Sequence, residues 1–512
     1  MSRIAWPLLL QFRKQVGGEF GGGEAVAEAF LGLEAEVGHI LFGHLEAGRH
    51  VLVAPALHVH EFQRHQLGVF ALGEEFANHF PKRKAQCFFL FLAPFVDPRR
   101  PFRWLHLDLI VLVAFGALLV RSFGAGGSLW TYRAGIVSVA VGLLYVLVRM
   151  LAQGFRPRPQ RQSLVPLVPT RWFALAAVAM ALFHVVYVAT SAKPVIDVGQ
   201  VSVQGADRIL RGEGLYDEPF PKPYANGNTY GPANYLLYVP FEVALPSVHD
   251  GNHMVAARAA AVTFDLLTGL GLFLLGRRLR PRSGGNQLGA ALAFAWFSYP
   301  YTLFVAAYSF NDALVAFLLV IALMAVTRST ISGATTAVAT AVKFAPAAVA
   351  PLFATAPAQH RLRSSLLFGA TFAAVTLALF LPFIPDGGIR ELYERTVGFQ
   401  AGRRPGGSVW ALSSHLHPAQ AAVRAAAVAL SVLVAVIPAR KTTEQLAALA
   451  AGVLVSFQLG LSYWIPSYVV WFAPFAFLAL FLPYAAADEQ APAHDGQAPR
   501  SGSPRIAKVE RR

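Results

Sequence analysis

The chain has 512 residues, 55% hydrophobic and 14% charged, with 39 Phe, whereas soluble domains carry about a quarter charged residues. Long apolar runs recurring from Trp104 to Tyr484 exclude a soluble multidomain protein, and a single cysteine, Cys87, excludes an internal disulfide or a cysteine-built metal cluster. The net charge of +15 is dispersed between the apolar runs, at Arg156, Arg158 and Arg161 and again at Arg277, Arg278, Arg280 and Arg282, which is the layout of positive cytoplasmic loops and not a continuous nucleic-acid-binding stripe.

Residues 1 to about 98 differ in character from the rest of the chain. They are Gly-rich and acidic in patches, hold seven of the 15 His, and contain no apolar run long enough to span a bilayer. No signal peptide is expected there. His58, His60 and His65 are close enough in sequence to converge on an ion, but weak periodicity and weak cap signals favour a non-catalytic extension, or a stretch translated from a mis-assigned start.

From Trp104 onward, membrane spans are predicted at about 104 to 120, 134 to 151, 172 to 190, 253 to 276, 288 to 308, 310 to 327, 363 to 383, 417 to 437, 444 to 462 and 467 to 484. Each approaches the roughly 20 residues that a helix needs to cross the hydrocarbon core. The pieces at 234 to 248 and 331 to 357 are interrupted by Pro240, Pro246, Pro346 and Pro351 and read as broken or re-entrant helices. The expected architecture is thus an all-α polytopic membrane bundle of about ten or more spans, with a polar tail after Tyr484.

Arginines set the orientation. Arg149, Arg156, Arg158, Arg161 and Arg171 place the loop after the second span inside, as Arg277 to Arg282 do for the loop after the fourth, so the long loop 191 to 252 is outside. Keeping Arg361 and Arg363 inside requires 331 to 357 to enter and return as a re-entrant hairpin, with Lys343 to Pro346 near its outer tip. The loop 384 to 416 is then external, and Arg440, Lys441 and the tail are internal.

Unusual residues gather in the two external loops. Asp197 lies just past a span among apolar neighbours, where desolvation makes a carboxylate a stronger base; as a lone acid it also reads as a helix cap. Tyr230-Gly-Pro232 reads as a turn that re-enters the interface. In the second loop Arg390, Arg395, Arg403 and Arg404 lie on the face that should be poor in them, which points to an anionic ligand such as phosphate, to lipid headgroups, or to pairing with Asp386, Glu391 and Glu394. Within the apolar runs, Arg258, Asp265, Asp312 and Lys343 must pair or face a cavity. Arg258 and Asp265, seven apart, share a helix face on which a structural pairing is as reasonable as chemistry. Asn311-Asp312 falls near the outer end of its span, and Lys343 at the hairpin tip is the preferred membrane-embedded anion ligand.

Taken in order, Asp197, Gly205-Ala-Asp-Arg-Ile-Leu-Arg-Gly-Glu-Gly-Leu-Tyr216, Tyr230-Gly-Pro232, Lys343-Phe-Ala-Pro346 and Gln400-x-x-Arg403 with the later Ser408-Val-Trp410 resemble the GT-C membrane glycosyltransferases. The likeness is greatest to glycosyltransferase family 87, the actinobacterial polyprenol-phosphate-mannose-dependent group, and covers about residues 170 to 484. The glycine-rich Arg404-Pro-Gly-Gly-Ser408 departs from it where a bulkier segment is expected.

The resemblance implies that a hexose, mannose by analogy, passes with inversion from a polyprenyl phosphate sugar to a glycolipid or polysaccharide acceptor at the outer face of a bacterial plasma membrane. It implies Asp197 as base, Lys343, Arg403 and Arg404 as the donor-phosphate site, and Tyr230, Gln400, Trp410, Asn311, Asp312 and Tyr463 as substrate contacts. No cofactor, metal or nucleic-acid partner is expected. The rival readings are a transporter or flippase of a lipid-linked or anionic substrate, and a non-catalytic scaffold. Against the transporter stand the absence of an internal repeat and the gathering of candidate residues at one outer face.

Overall fold

The structure, a computed structural model, describes residues 90–97, 99–122, 128–165, 168–220, 227–248, 254–280, 282–357 and 361–485. His58, His60, His65, Cys87 and the basic tail lie outside the described residues.

The described chain is helical apart from a parallel pairing of Gln160–Ser163 with Tyr484–Ala485. In chain order the helices are α1 (Trp104–Ala114), α2 (Ala117–Ser122), α3 (Leu129–Phe155), α4 (Thr170–Thr190), α5 (Asp197–Arg211), α6 (Pro232–Leu236), α7 (Val239–Ala244) and α8 (Val255–Leu279). Next come α9 (Arg282–Ser298), α10 (Pro300–Ala307), α11 (Asp312–Met324), α12 (Ser329–Val342), α13 (Ala350–Ala354), α14 (Arg361–Phe380) and α15 (Gly388–Tyr393). The last are α16 (Phe399–Ala401), α17 (His417–Val436), α18 (Thr443–Leu459) and α19 (Val469–Phe481).

The polytopic all-α expectation holds, with a smaller count of full-length spans. Among the described residues, five helices are long and apolar enough to cross a membrane: α3, α4, α8, Arg361–Phe383 and Ser414–Val436. A sixth arises if α9 and α10, bent by 56° where Pro300 interrupts them, form one span. The remaining predicted spans fall on shorter helices. The first breaks between Ala114 and Ala117, while α11 and α18 run 13 and 17 residues, or about 20 and 25 Å at 1.5 Å per residue. Of these, α11, α18 and α19 sit inside the bundle: every residue of α19 is buried, whereas α14 and α17 expose Leu362, Leu366, Val428 and Val432. Phe91 and Phe95 are also in the core, against Tyr299, Phe477, Phe173 and Phe481.

The intramembrane charges pair differently from the sequence spacing. Arg258 does not reach Asp265; it donates to the carbonyls of Val188, Ser191 and Lys193, taking up acceptors left free at the end of α4. Asp265 instead accepts from Trp296 Nε1 at 2.9 Å and pairs with His184 Nδ1 at 2.8 Å. Both charges therefore join helices to one another and serve the bundle.

α12 and α14 run side by side in the same direction. Gly333, near the start of α12, meets the backbone of Phe368 in the second turn of α14. At their far ends, Ala341 touches Gly231, and Phe380 packs on the cluster around Leu215 and Tyr216. Both helices thus end against the segment after α5, and that is where the site forms.

Candidate functional site

Asp197 opens α5, where Ile196 is still extended, and its Oδ1 accepts from the N–H of Val198 at 2.8 Å. The extended stretch is held by its neighbour: Ile196 N–H donates to the Tyr308 carbonyl at 3.0 Å. The first turn of α5 lies against the turn at Ser309, whose φ is 57°. A chain of side-chain bonds fixes the rest: Asn311 Nδ2 to Asn234 at 2.7 Å, Asn234 Nδ2 to Ser202 Oγ at 2.9 Å, and Ser202 Oγ to the Val198 carbonyl at 2.7 Å. Asn311 is therefore a brace between α5, α6 and α11.

Lys343 comes directly after the last residue of α12, in extended backbone, φ −141° and ψ 138°. That turn brings Nζ to 2.5 Å from Asp312 Oδ1, which also accepts from Trp471 Nε1 at 2.6 Å. The ammonium lies 5.4 to 5.8 Å from the ring centroids of Trp471, Tyr468 and Tyr230, within reach of their negative faces. Tyr230 can stand there because its neighbour is Gly231: a Cβ at Gly231 would fall 2.2 Å from the Ala341 carbonyl oxygen. Asp312 is the counter-ion of Lys343, buried behind it.

The loop 384 to 416 brings Arg403, whose guanidinium carbon lies 3.9 Å from the Tyr463 ring centroid. The glycines of this loop have a structural reason. Gly406 pairs with the 462–464 strand-like segment through Gly406 N–H to Ser462 O at 3.0 Å and Trp464 N–H to Gly406 O at 2.9 Å. Gly407 has φ +64°, and a Cβ there would meet the Trp464 carbonyl at 2.1 Å. Ser408 Oγ then donates to Ser462 O at 2.5 Å, Trp410 Nε1 to Leu459 O at 2.8 Å, and the Gly407 N–H to Tyr132 Oη at 3.1 Å. Trp410 is thus a fastener of the loop. Two further loop arginines are paired, Arg390 with Glu394 at 2.9 Å and Arg395 with Glu391 at 2.6 Å.

These elements enclose a cavity of ≈ 380 Å³ lined by Asp197, Tyr230, Lys343, Gln400, Arg403 and Tyr463. Gln400 is oriented by Nε2 to Thr229 Oγ1 at 3.2 Å. Asn311 does not line the cavity, and neither does Arg404, which is exposed. Among the liners that sequence reasoning missed are Arg424, Tyr468 and Trp471. For Arg424 a signal existed, a charge inside an apolar run; Tyr468 and Trp471 read as ordinary core aromatics. Apart from Thr229 and Ser462, most of the remaining wall is apolar, with Phe304, Phe344, Phe457 and Ile465. On one side it includes Val397 and Val428, which are 37% and 65% exposed, so the cavity opens between α17 and the second loop toward the outside of the bundle.

Burial raises the Asp197 pKa above the ordinary carboxylate value, against the Val198 N–H and the positive charges of Arg403 and Lys343, which lower it. One carboxylate, Asp197, and three cations, Lys343, Arg403 and Arg424, thus share one half-apolar chamber. Among the described residues no three His, Cys, Asp or Glu side chains come together as a metal site.

Residues 228–462 match the model of glycosyltransferase family 87. The matched stretch contains Tyr230, Lys343, Gln400 and Arg403, while Asp197 lies ahead of it. Neither the curated proteins nor the solved structures return a match to the chain.

Proposed function

We propose that this chain, a membrane enzyme that belongs to glycosyltransferase family 87, takes a hexose, mannose by family analogy, from a polyprenyl phosphate donor. It passes the sugar with inversion to an envelope glycolipid or polysaccharide on the outer face of a bacterial plasma membrane. The observation that carries this reading is the composition of the cavity: Asp197, Lys343 and Arg403 at a polar end, and an apolar wall that opens past Val397 and Val428. A donor with a charged head and a long hydrocarbon tail matches both halves.

In the proposed reaction the acceptor hydroxyl oxygen attacks the anomeric carbon from the face opposite the phosphate. Asp197 accepts the hydroxyl proton. The bond from the anomeric carbon to the phosphate oxygen breaks, and polyprenyl phosphate departs with the electron pair. Charge accumulating on that phosphate is met by the Arg403 guanidinium and the Lys343 ammonium. Gln400 and the rings of Tyr230 and Tyr463 border the space left for the sugar.

The same reading assigns the topology. Lys343 to Pro357 is the returning limb of a re-entrant hairpin begun by α12, a reading supported by the parallel packing of α12 and α14 across it. The shorter helices complete a bundle of about ten membrane segments. The catalytic unit includes Phe91 and Phe95, which are core residues, so the boundary expected at about 98 moves toward the N-terminus, and the extension and the tail are read as non-catalytic.

The test uses purified protein in lipid with a panel of polyprenyl phosphate sugars and glycolipid acceptors. Transfer from a polyprenyl phosphate hexose, with inverted configuration in the product, is the expected result. Movement of a lipid-linked sugar between leaflets without transfer to any acceptor would replace the proposal with a flippase.

Tyr132, on α3 and outside the family match, belongs to this machinery through its bond to Gly407. Tyr132→Phe removes one hydrogen bond worth about 1 kcal/mol, so kcat/KM is expected to fall about fivefold. The loss is expected mainly in KM for the donor, through looser placement of Arg403. Donor-saturation kinetics indistinguishable from the parent would detach α3 from the site.

A further inference from the structure

Arg424 has no part in the proposed chemistry, yet it lines the same cavity from the membrane-exposed helix α17. It lies seven residues after His417, about 10 Å into the helix at 1.5 Å per residue. The residue is exposed, and Ala427 and Val428, three and four positions on, continue the same face into the cavity mouth. A charge on the lipid side of a span is costly unless an opposite charge meets it.

The side chain is held in place. Arg424 Nε donates to the Gly460 carbonyl at 2.9 Å and Nη2 to Ser462 Oγ at 2.8 Å. Gln420, one turn earlier, binds the same two residues at 3.0 and 3.1 Å. Gly460 carries no side chain where its Cβ would crowd Arg424 Cγ at 3.0 Å. Two of the five N–H donors of the guanidinium are thus used to orient it, and the remaining face is available to a ligand. Among the described residues no carboxylate forms an ion pair with it.

We propose that Arg424 is the cation of a second phosphate site, at the lateral mouth of the cavity and separate from the Lys343–Arg403 pair, where a lipid-borne phosphate docks. The site rests on the proposed glycosyl transfer for its purpose, and on its own geometry for its existence. Two lipids carry this chemistry to the mouth: the polyprenyl phosphate of the donor, and a phospholipid, including an acceptor built on one. A planar guanidinium fixed on two sides presents paired N–H groups to phosphate oxygens, which a flexible ammonium does less well.

Photo-crosslinking tests this without turnover. Full-length protein in maltoside micelles is doped with photoactivatable polyprenyl phosphate or photoactivatable phosphatidic acid, and labelled peptides are mapped. Labelling at α17 and the 459–462 segment is expected in the parent and in Asp197→Asn, reduced about tenfold in Arg424→Gln and by a smaller factor in Arg424→Lys. Loss with the polyprenyl probe assigns the site to the donor; loss with phosphatidic acid assigns it to a phospholipid. Equal labelling of parent and Arg424→Gln by both probes overturns the site, as does an Arg424→Lys protein that melts like the parent and labels no better than the glutamine variant. Because no sugar is transferred in this experiment, an inactive parent would sink the proposed reaction and leave the phosphate site standing or falling on its labelling.

Discussion

Asp197→Asn is expected to lower kcat by two to four orders of magnitude, roughly the contribution of a positioned general base, with little change in thermal stability. The substitution suits the test because asparagine keeps the Oδ1 acceptor that receives the Val198 N–H at the start of α5. What it removes is the capacity to take a proton. The pH profile supplies a second reading from the same pair of proteins. Burial raises the Asp197 pKa, and a base works only when deprotonated, so the parent rate is expected to fall as pH drops through that raised value. Its acidic limb should therefore lie above the position of an ordinary carboxylate at about 4, and the residual rate of the variant should lack that limb. Undiminished transfer by a folded Asp197→Asn protein would place the base elsewhere.

Three of the cavity's four charged residues were legible in the sequence: Asp197 and Lys343 because charge in an apolar setting demands a partner, and Arg403 because it lies in a loop expected to be poor in arginines. Arg424 was not singled out, although it too is a charge in an apolar run, and the structure gathers Asp197, Lys343 and Arg403 in one chamber although 60 residues separate the last two and the first stands a further 146 away. Aromatic and amide residues gave no such discrimination. Trp410 and Asn311 sit beside the motif in sequence, but their polar atoms satisfy a carbonyl at Leu459 and a neighbour at Asn234. Trp471 and Tyr468, inside or next to a run indistinguishable from core, face the ammonium of Lys343. Arg258 and Asp265 take the structural role open to them, each with a neighbouring element and not with the other, since helical periodicity reports a shared face and not which neighbour that face meets. Helix lengths depart from the expected spans where Pro300 bends a run and where the buried α11 stops after 13 residues. Hydropathy registers apolar content and not the length over which one helix stays straight.

Lys343 gives the second large effect, and its pairing with Asp312 makes a single substitution ambiguous. Lys343→Met removes a cation from the proposed phosphate site, but it also strips the counter-ion from Asp312, a carboxylate with no exposed surface whose other donor is Trp471 Nε1. An uncompensated buried charge costs on the order of 3–5 kcal/mol, so this variant is expected to melt at a visibly lower temperature as well as to lose activity. The double variant Lys343→Met, Asp312→Asn separates the two effects. The asparagine still accepts from Trp471, the methionine fills much of the lysine's volume, and no unpaired charge remains, so thermal stability is expected to recover most of what the single change lost. Activity should not recover with it. Without the ammonium, the departing phosphate loses one of its two cations, at a cost of about a hundredfold in kcat. Melting curves and single-turnover rates on the parent, the single variant and the double variant decide the matter. A double variant that regains both stability and rate would make Lys343 the counter-ion of Asp312 and leave Arg403 to hold the phosphate.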